Sequence, residues 1–241
     1  MASYRSNSLY RNRGSRAIRN VAALASSGRV RMGMHGSYFS DARLRRRLTS
    51  GSGPEGGGMK FSRVWAMPSP WTFTIPPIAA FLSRHGVGNG LWVDPFAGQN
   101  SPAAIRNDLR PDSVAEYHLP ASEFAAQIEG PFDGMLFDPP YSPRQIAECY
   151  SSAGLKCGVE ETQSGRLYRL VRENLGHKIK TGGKVLSFGW STVGMGDGWE
   201  IKEIMLVCHG GAHNDTICMA EEKKQGELLW PSRRSTRETT R

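Results

Sequence analysis

Gly134-Met-Leu-Phe137-Asp138-Pro139-Pro140-Tyr141 is the stretch on which the fold turns. Its first four residues make a short apolar run of the kind that forms a strand buried on both faces. Two consecutive prolines then forbid continuation as helix or as ladder, so the chain must leave the sheet abruptly at the carboxyl end of that strand. Open α/β sheets bind their ligands at that edge. The prolines also stiffen the loop, so that the Asp138 carboxylate and a backbone carbonyl can point at one amino group. Tyr141 adds a flat face for a base, a contact worth roughly 1–3 kcal/mol per base stacked.

Outward from this corner, strands and helices alternate. Further strands are expected at Leu91-Trp-Val-Asp94, Lys184-Val-Leu-Ser-Phe188, Trp199 to Cys208 and Asp215 to Met219. The last two are joined by His209-Gly-Gly-Ala-His-Asn214, which predicts an antiparallel pair at the end of the fold. Pro143 suits the first turn of a helix over Pro143 to Ser152. Leu167, Leu170, Val171 and Leu175 share one face of a second helix over Gly165 to Ile179, and Gly182 and Gly183 are expected to break the pattern before the next strand. The fold class is therefore α/β, a Rossmann-like and mostly parallel sheet with a terminal antiparallel hairpin.

A second corner, Val93-Asp94-Pro95-Phe96-Ala97-Gly98, again ends a strand in an acid and a tight glycine turn, where backbone can approach a ligand closely. With both corners in view, the chain from about Met59 to Glu222 resembles the amino-methyltransferases, and especially the small phage-type DNA adenine methylases, whose catalytic loop is this DPPY tetrapeptide. The resemblance implies S-adenosyl-L-methionine as cofactor and DNA as partner, with adenine N6 as the methyl acceptor. It makes Asp138 and Pro139 the acceptors that orient the target amine, with Pro140 in the same loop and Tyr141 stacked on a flipped-out base. Asp94, Pro95, Phe96 and Gly98 become the cofactor loop. Trp71-Thr-Phe-Thr-Ile-Pro-Pro-Ile78 becomes the segment over the methionine end of the cofactor, with Thr72 and Phe73 as its contacts. Asp108 is the ribose-binding acid, in preference to its rival Glu116.

The implied chemistry needs no strong base. Two acceptors on an amine's hydrogens favour a pyramidal nitrogen with an available lone pair, and attack on a methyl group follows from positioning. A base inside a duplex is out of reach, so the target must be flipped or single-stranded. Three departures from the family pattern stand out. Pro76 occupies a position where the family often has lysine. No acid lies near His118-Leu-Pro-Ala121, where one often meets the cofactor's adenine amine. Only Gln99 to Pro102 separate the first two expected strands, too few for the usual crossover, so the first helix is expected to be reduced or absent. Methylation of cytosine N4 or of adenine in RNA stays open, as does an inactive nucleic-acid-binding protein that keeps the fold.

Composition bounds the rest. The 241 residues, 39% of them hydrophobic, suit one domain with flanking segments. The net charge of +9 is confined to residues 1–58, where eleven arginines face only Asp41 and Glu55. The remaining residues carry 20 basic and 20 acidic groups. Residues 1–58 end in a Ser/Gly/Pro run and are expected to be a disordered extension, with one short basic amphipathic stretch around Ile18 to Ala25. Met59 follows Glu55-Gly-Gly-Gly and is a candidate translation start. The methyltransferase domain is set at 59–222 and a polar basic tail, with Arg233, Arg234, Arg237 and Arg241, at 223–241. No run reaches the roughly 18–20 apolar residues of a membrane span, and a cytoplasmic location is expected. Cys149, Cys157, Cys208 and Cys218 lack the density of a disulfide framework, and Cys208, His209, His213 and Cys218 fit no standard zinc spacing, so no metal is expected.

Overall fold

A computed structural model describes residues 58–157, 164–190, 193–211 and 213–225. The expected extension up to residue 57 and the tail from residue 226 lie outside these, as does the amphipathic stretch around Ile18 to Ala25. Seven strands form one sheet: β1 Lys60–Trp65, β2 Trp92–Asp94, β3 Ile105–Arg106, β4 Phe132–Phe137, β5 Ile179–Gly189, β6 Trp199–Cys208 and β7 Thr216–Lys223. Their order is β1-β6-β7-β5-β4-β2-β3. β7 pairs antiparallel with both β5 and β6, and the other pairings are parallel. This is the mostly parallel, Rossmann-like α/β architecture that the sequence predicts. The hairpin partner β7 is inserted between β5 and β6 instead of closing the edge, and the edge is taken by β1.

Helices α1 Pro76–Arg84, α2 Ala121–Gln127, α3 Pro143–Ser152 and α4 Ser164–Lys178, with a short 3-10 turn at Thr72–Thr74, complete the described elements. Side chains alternate across each strand, and the central strands feed two cores. Leu136, Leu186 and Phe188 join Ile78, Phe81 and Leu82 of α1 on one side. Met135, Phe137 and Val185 join Phe124 and Ala125 of α2 and Val171 and Leu175 of α4 on the other. Burial on both faces explains why β4 and β5 read as apolar runs instead of an alternating pattern. α1 is tied to β6 by Glu203, which meets Arg84 at 2.8 Å and His85 at 3.0 Å.

Two expectations need correction. Gly182 and Gly183 do not separate α4 from its strand, because β5 already begins at Ile179. Phe132 pairs with Ile179 but Gly134 pairs with Lys184, so the intervening residues of β5 loop out of register. Gly182, with φ 75°, supplies the left-handed turn that such a bulge needs. The glycines therefore mark a bulge inside a longer strand. The strand expected over Asp215 to Met219 likewise runs on to Lys223. The short link between β2 and β3 does lack a helix among its described residues, in line with its length.

Candidate active site

The chain leaves β2 for β3 on one side and reaches β4 on the other, which makes the β2/β4 boundary a switch point with a crevice at its carboxyl end. A cavity of about 500 Å³ occupies it, within the usual size range of small-molecule sites. Pro95, Phe96 and Gly98 from the loop after β2, Asp108 from beyond β3, and the whole of Asp138 to Tyr141 after β4 line this one cavity. Asp94, Thr72 and Phe73 do not. Asp94 is fully buried beneath the cavity, accepting Phe96 N at 2.9 Å and the Ser101 hydroxyl at 2.6 Å. Thr72 instead hydrogen-bonds Asp138. Phe73 packs edge-on against Phe188, with ring centroids 5.2 Å apart. Pro76 opens α1, where its missing N–H costs nothing.

The loop after β4 is held from both ends. Ser142 caps α3 through a capping box with Gln145, and Gln145 Oε1 also accepts the Tyr141 N–H at 2.8 Å. The Tyr168 hydroxyl of α4 donates to the Pro140 carbonyl. That carbonyl is thereby engaged inside the fold, whereas Pro139 lies buried at the cavity wall. Tyr141 donates its hydroxyl to Asp138 and stacks on Trp190, with centroids 5.3 Å apart and planes 28° from parallel. Phe96, Phe137 and Tyr168 meet edge-on below, at centroid distances of 5.6–6.1 Å.

Asn107 is the clasp of the other half. It is 1% exposed, donates to the carbonyls of Pro95 and Leu119 at 3.1 and 3.0 Å, and accepts the Leu119 N–H at 3.0 Å. Asp108 then faces the cavity, its Oδ1 accepting Arg110 N at 2.8 Å and lying 3.4 Å from Arg110 Nε. The rival Glu116 accepts the Arg106 N–H at 3.0 Å and pairs with its guanidinium outside the cavity wall. Gly98 has φ 55°, and a Cβ there would meet nothing within 4 Å, so its backbone presents a bare surface in a conformation other residues resist.

Three carboxylates thus gather at the ends of neighbouring strands. Burial raises Asp94 from 3.8 to about 7, against the bonds from Ser101 and Phe96, with Asp138 and Asp108 adding repulsion. Burial likewise raises Asp138, against the bonds from Tyr141 and Thr72. Gln145, Tyr168, Asn107 and Trp190 escaped the sequence reading as site residues. Ser142-Pro-Arg-Gln145 did carry a legible capping-box signal; for Trp190, far from Tyr141 along the chain, no local pattern exists. His209, one of the soft-ligand cluster, engages both ring nitrogens, with the Ala66 carbonyl at 2.9 Å and the Thr216 hydroxyl at 3.0 Å.

No family model matches the chain, and no curated protein matches it. Among solved structures it is similar to TrmN of Thermus thermophilus, with a TM-score of 0.43 and 17% identity over 62% of this chain and 49% of that one. The chain therefore spans about half the length of TrmN. It is also similar to the yhhF protein of Escherichia coli, named as a candidate methyltransferase, with a TM-score of 0.37 and 13% identity over 62% of this chain and 83% of that one.

Proposed function

We propose that this chain is an S-adenosyl-L-methionine-dependent methyltransferase acting on the N6 amino group of adenine in DNA. The observation that carries the reading is the shared cavity: the Asp138-Pro139-Pro140-Tyr141 loop and the Pro95-Phe96-Gly98 loop open into one space at the switch point of the sheet. The sequence motif supports the choice of substrate, since its aspartate, proline carbonyl and aromatic ring suit an amine on a flat base.

The cavity residues fit the cofactor. Gly98 offers bare backbone, Asp108 an acceptor for a ribose hydroxyl, and Leu119, Pro120 and Ala121 an apolar wall for a purine ring. When bound, the cofactor supplies an electrophilic methyl group on a positively charged sulfur. Asp138 accepts one amine hydrogen and the Pro139 carbonyl the other, which turns the nitrogen lone pair outward. Tyr141 releases Asp138 and stacks on the base. Tyr168 and Gln145 hold the loop so that these acceptors need no reorganisation as charge develops.

The test is to incubate the full chain with labelled cofactor and unmethylated DNA, digest to nucleosides and identify the product by mass spectrometry. The expected product is N6-methyldeoxyadenosine, and Asp138→Ala should lower kcat by about 10²–10³-fold with cofactor affinity kept. Methyl transfer to RNA alone would overturn DNA as substrate, N4-methylcytosine would overturn adenine, and no methylated nucleoside from either nucleic acid would overturn the proposal.

A further inference from the structure

Tyr141 and Trp190 come from different strand ends. Tyr141 follows β4, and Trp190 follows β5 immediately after Gly189, so the parallel pairing of β4 and β5 delivers both rings to the same edge of the sheet. Their stacked geometry is that of an aromatic pair. Their burial differs: Tyr141 is half-buried with its hydroxyl on Asp138, whereas Trp190 is 48% exposed. A large ring fixed on one face and left to solvent on the other is a poor core element. It is well placed to contact something flat.

We propose that Trp190 is a second base-stacking residue, and that the target base is held between its ring and that of Tyr141. The inference rests on the functional reading above and extends it. The rings at 5.3 Å are too close for a third ring between them, because two stacking gaps of about 3.5 Å each require about 7 Å. A base therefore has to part them, exchanging one ring–ring contact for two base–ring contacts of the same kind. Movement of Tyr141 also withdraws its hydroxyl from Asp138. The carboxylate acceptor is then handed from the tyrosine to whatever the base presents. A base with an exocyclic amine replaces the lost donor, while Thr72 keeps its own bond to Asp138. The pair thus acts as a gate whose opening frees an acceptor for the donor that an amine-bearing base presents.

The experiment uses the full chain, saturating cofactor and single-stranded oligodeoxyadenylate. Trp190→Ala should raise KM for the oligonucleotide by roughly tenfold while kcat changes by less than about threefold, and Trp190→Phe should restore most of the loss. A second readout is the same oligonucleotide carrying 2-aminopurine, which stacks but offers no 6-amino group. Its fluorescence should be quenched on binding to the wild type and much less by Trp190→Ala. Should Trp190→Ala fold poorly, Trp190→Leu, which keeps apolar bulk without a stacking face, should show the same rise in KM and the same loss of quench. Equal KM and equal quench in wild type and Trp190→Ala, or a loss confined to kcat, would overturn the clamp and leave the methyltransferase reading intact. A folded wild type that methylates no nucleic acid overturns both.

Discussion

Asp94 is the residue on which the site's electrostatics weigh most heavily. It is fully buried, bonded to Phe96 N and Ser101 Oγ, and faces the repulsion of Asp138 and Asp108. Its folded value of about 7 lies above its ordinary 3.8, so between those limits the native state holds a proton that the unfolded chain has released. Stability from this group must therefore fall as pH rises through the window from about 4 to 7 and stay low above it, by an amount of order a few kcal/mol at about 1.4 kcal/mol per unit. Asp94→Asn imitates the protonated form, since its amide can donate to Ser101 while its oxygen accepts from Phe96. Urea unfolding at pH 5 and pH 8 should show Asn gaining on the wild type by about 1–3 kcal/mol at the higher pH. An unchanged difference between the two proteins would mean that Asp94 is ionised throughout this range.

At the scale of elements, the site depends on how closely β2 and β4 approach. Trp92 of β2 lies across Gly134 of β4, where a Cβ would fall 2.4 Å from the indole ring. Neither a buried ring nor two paired backbones can yield cheaply, so Gly134→Ala should cost about 1–3 kcal/mol in chemical denaturation. On the proposed function it should also weaken cofactor binding, because both loops of the cavity hang from these strands; a variant of wild-type stability would show the indole to be mobile. The contact also explains what was legible. The long strands and α3 could be read from their apolar runs and from Pro143, and the two corners from Asp94 and Asp138 with their turn residues. β1 was harder: Phe61 and Trp65 are 66% exposed, so an edge strand with an outward aromatic face lacks the buried pattern of its neighbours. α1 was not among the expected elements, because Pro76 was read only for its departure from the family's lysine although proline suits a first helical turn. α2 spans only seven residues, too short for a helical period to declare itself. The grouping of Asp108 with Asp138 was accessible through the motif, whereas that of Trp190 with Tyr141 depends on strand order and could not be read locally.

For the whole molecule, the decisive quantity is the separation of charge from chemistry. The described strands and helices lie between Lys60 and Lys223, and residues 59–241 have equal numbers of basic and acidic groups. The net +9 belongs to residues 1–58, through eleven arginines. On the proposed function, with a base recognised in the cavity and phosphates by the separate basic segment, the binding free energy should divide in the same way. Each phosphate neutralised contributes about 0.9 to the slope of log K against log salt on duplex DNA. Fluorescence anisotropy on a duplex over a series of salt concentrations should therefore give a steep slope for the full chain. For a chain beginning at Met59 the slope should be shallower by several units, since up to about ten contacts of about 0.9 each are removed. The same shortened chain should keep its kcat, because every described residue that lines the cavity follows Met59. Equal slopes would place phosphate contact on local basic patches of the neutral body, such as Arg63 and Arg144, and would assign the arginines of the first 58 residues a task unconnected with DNA.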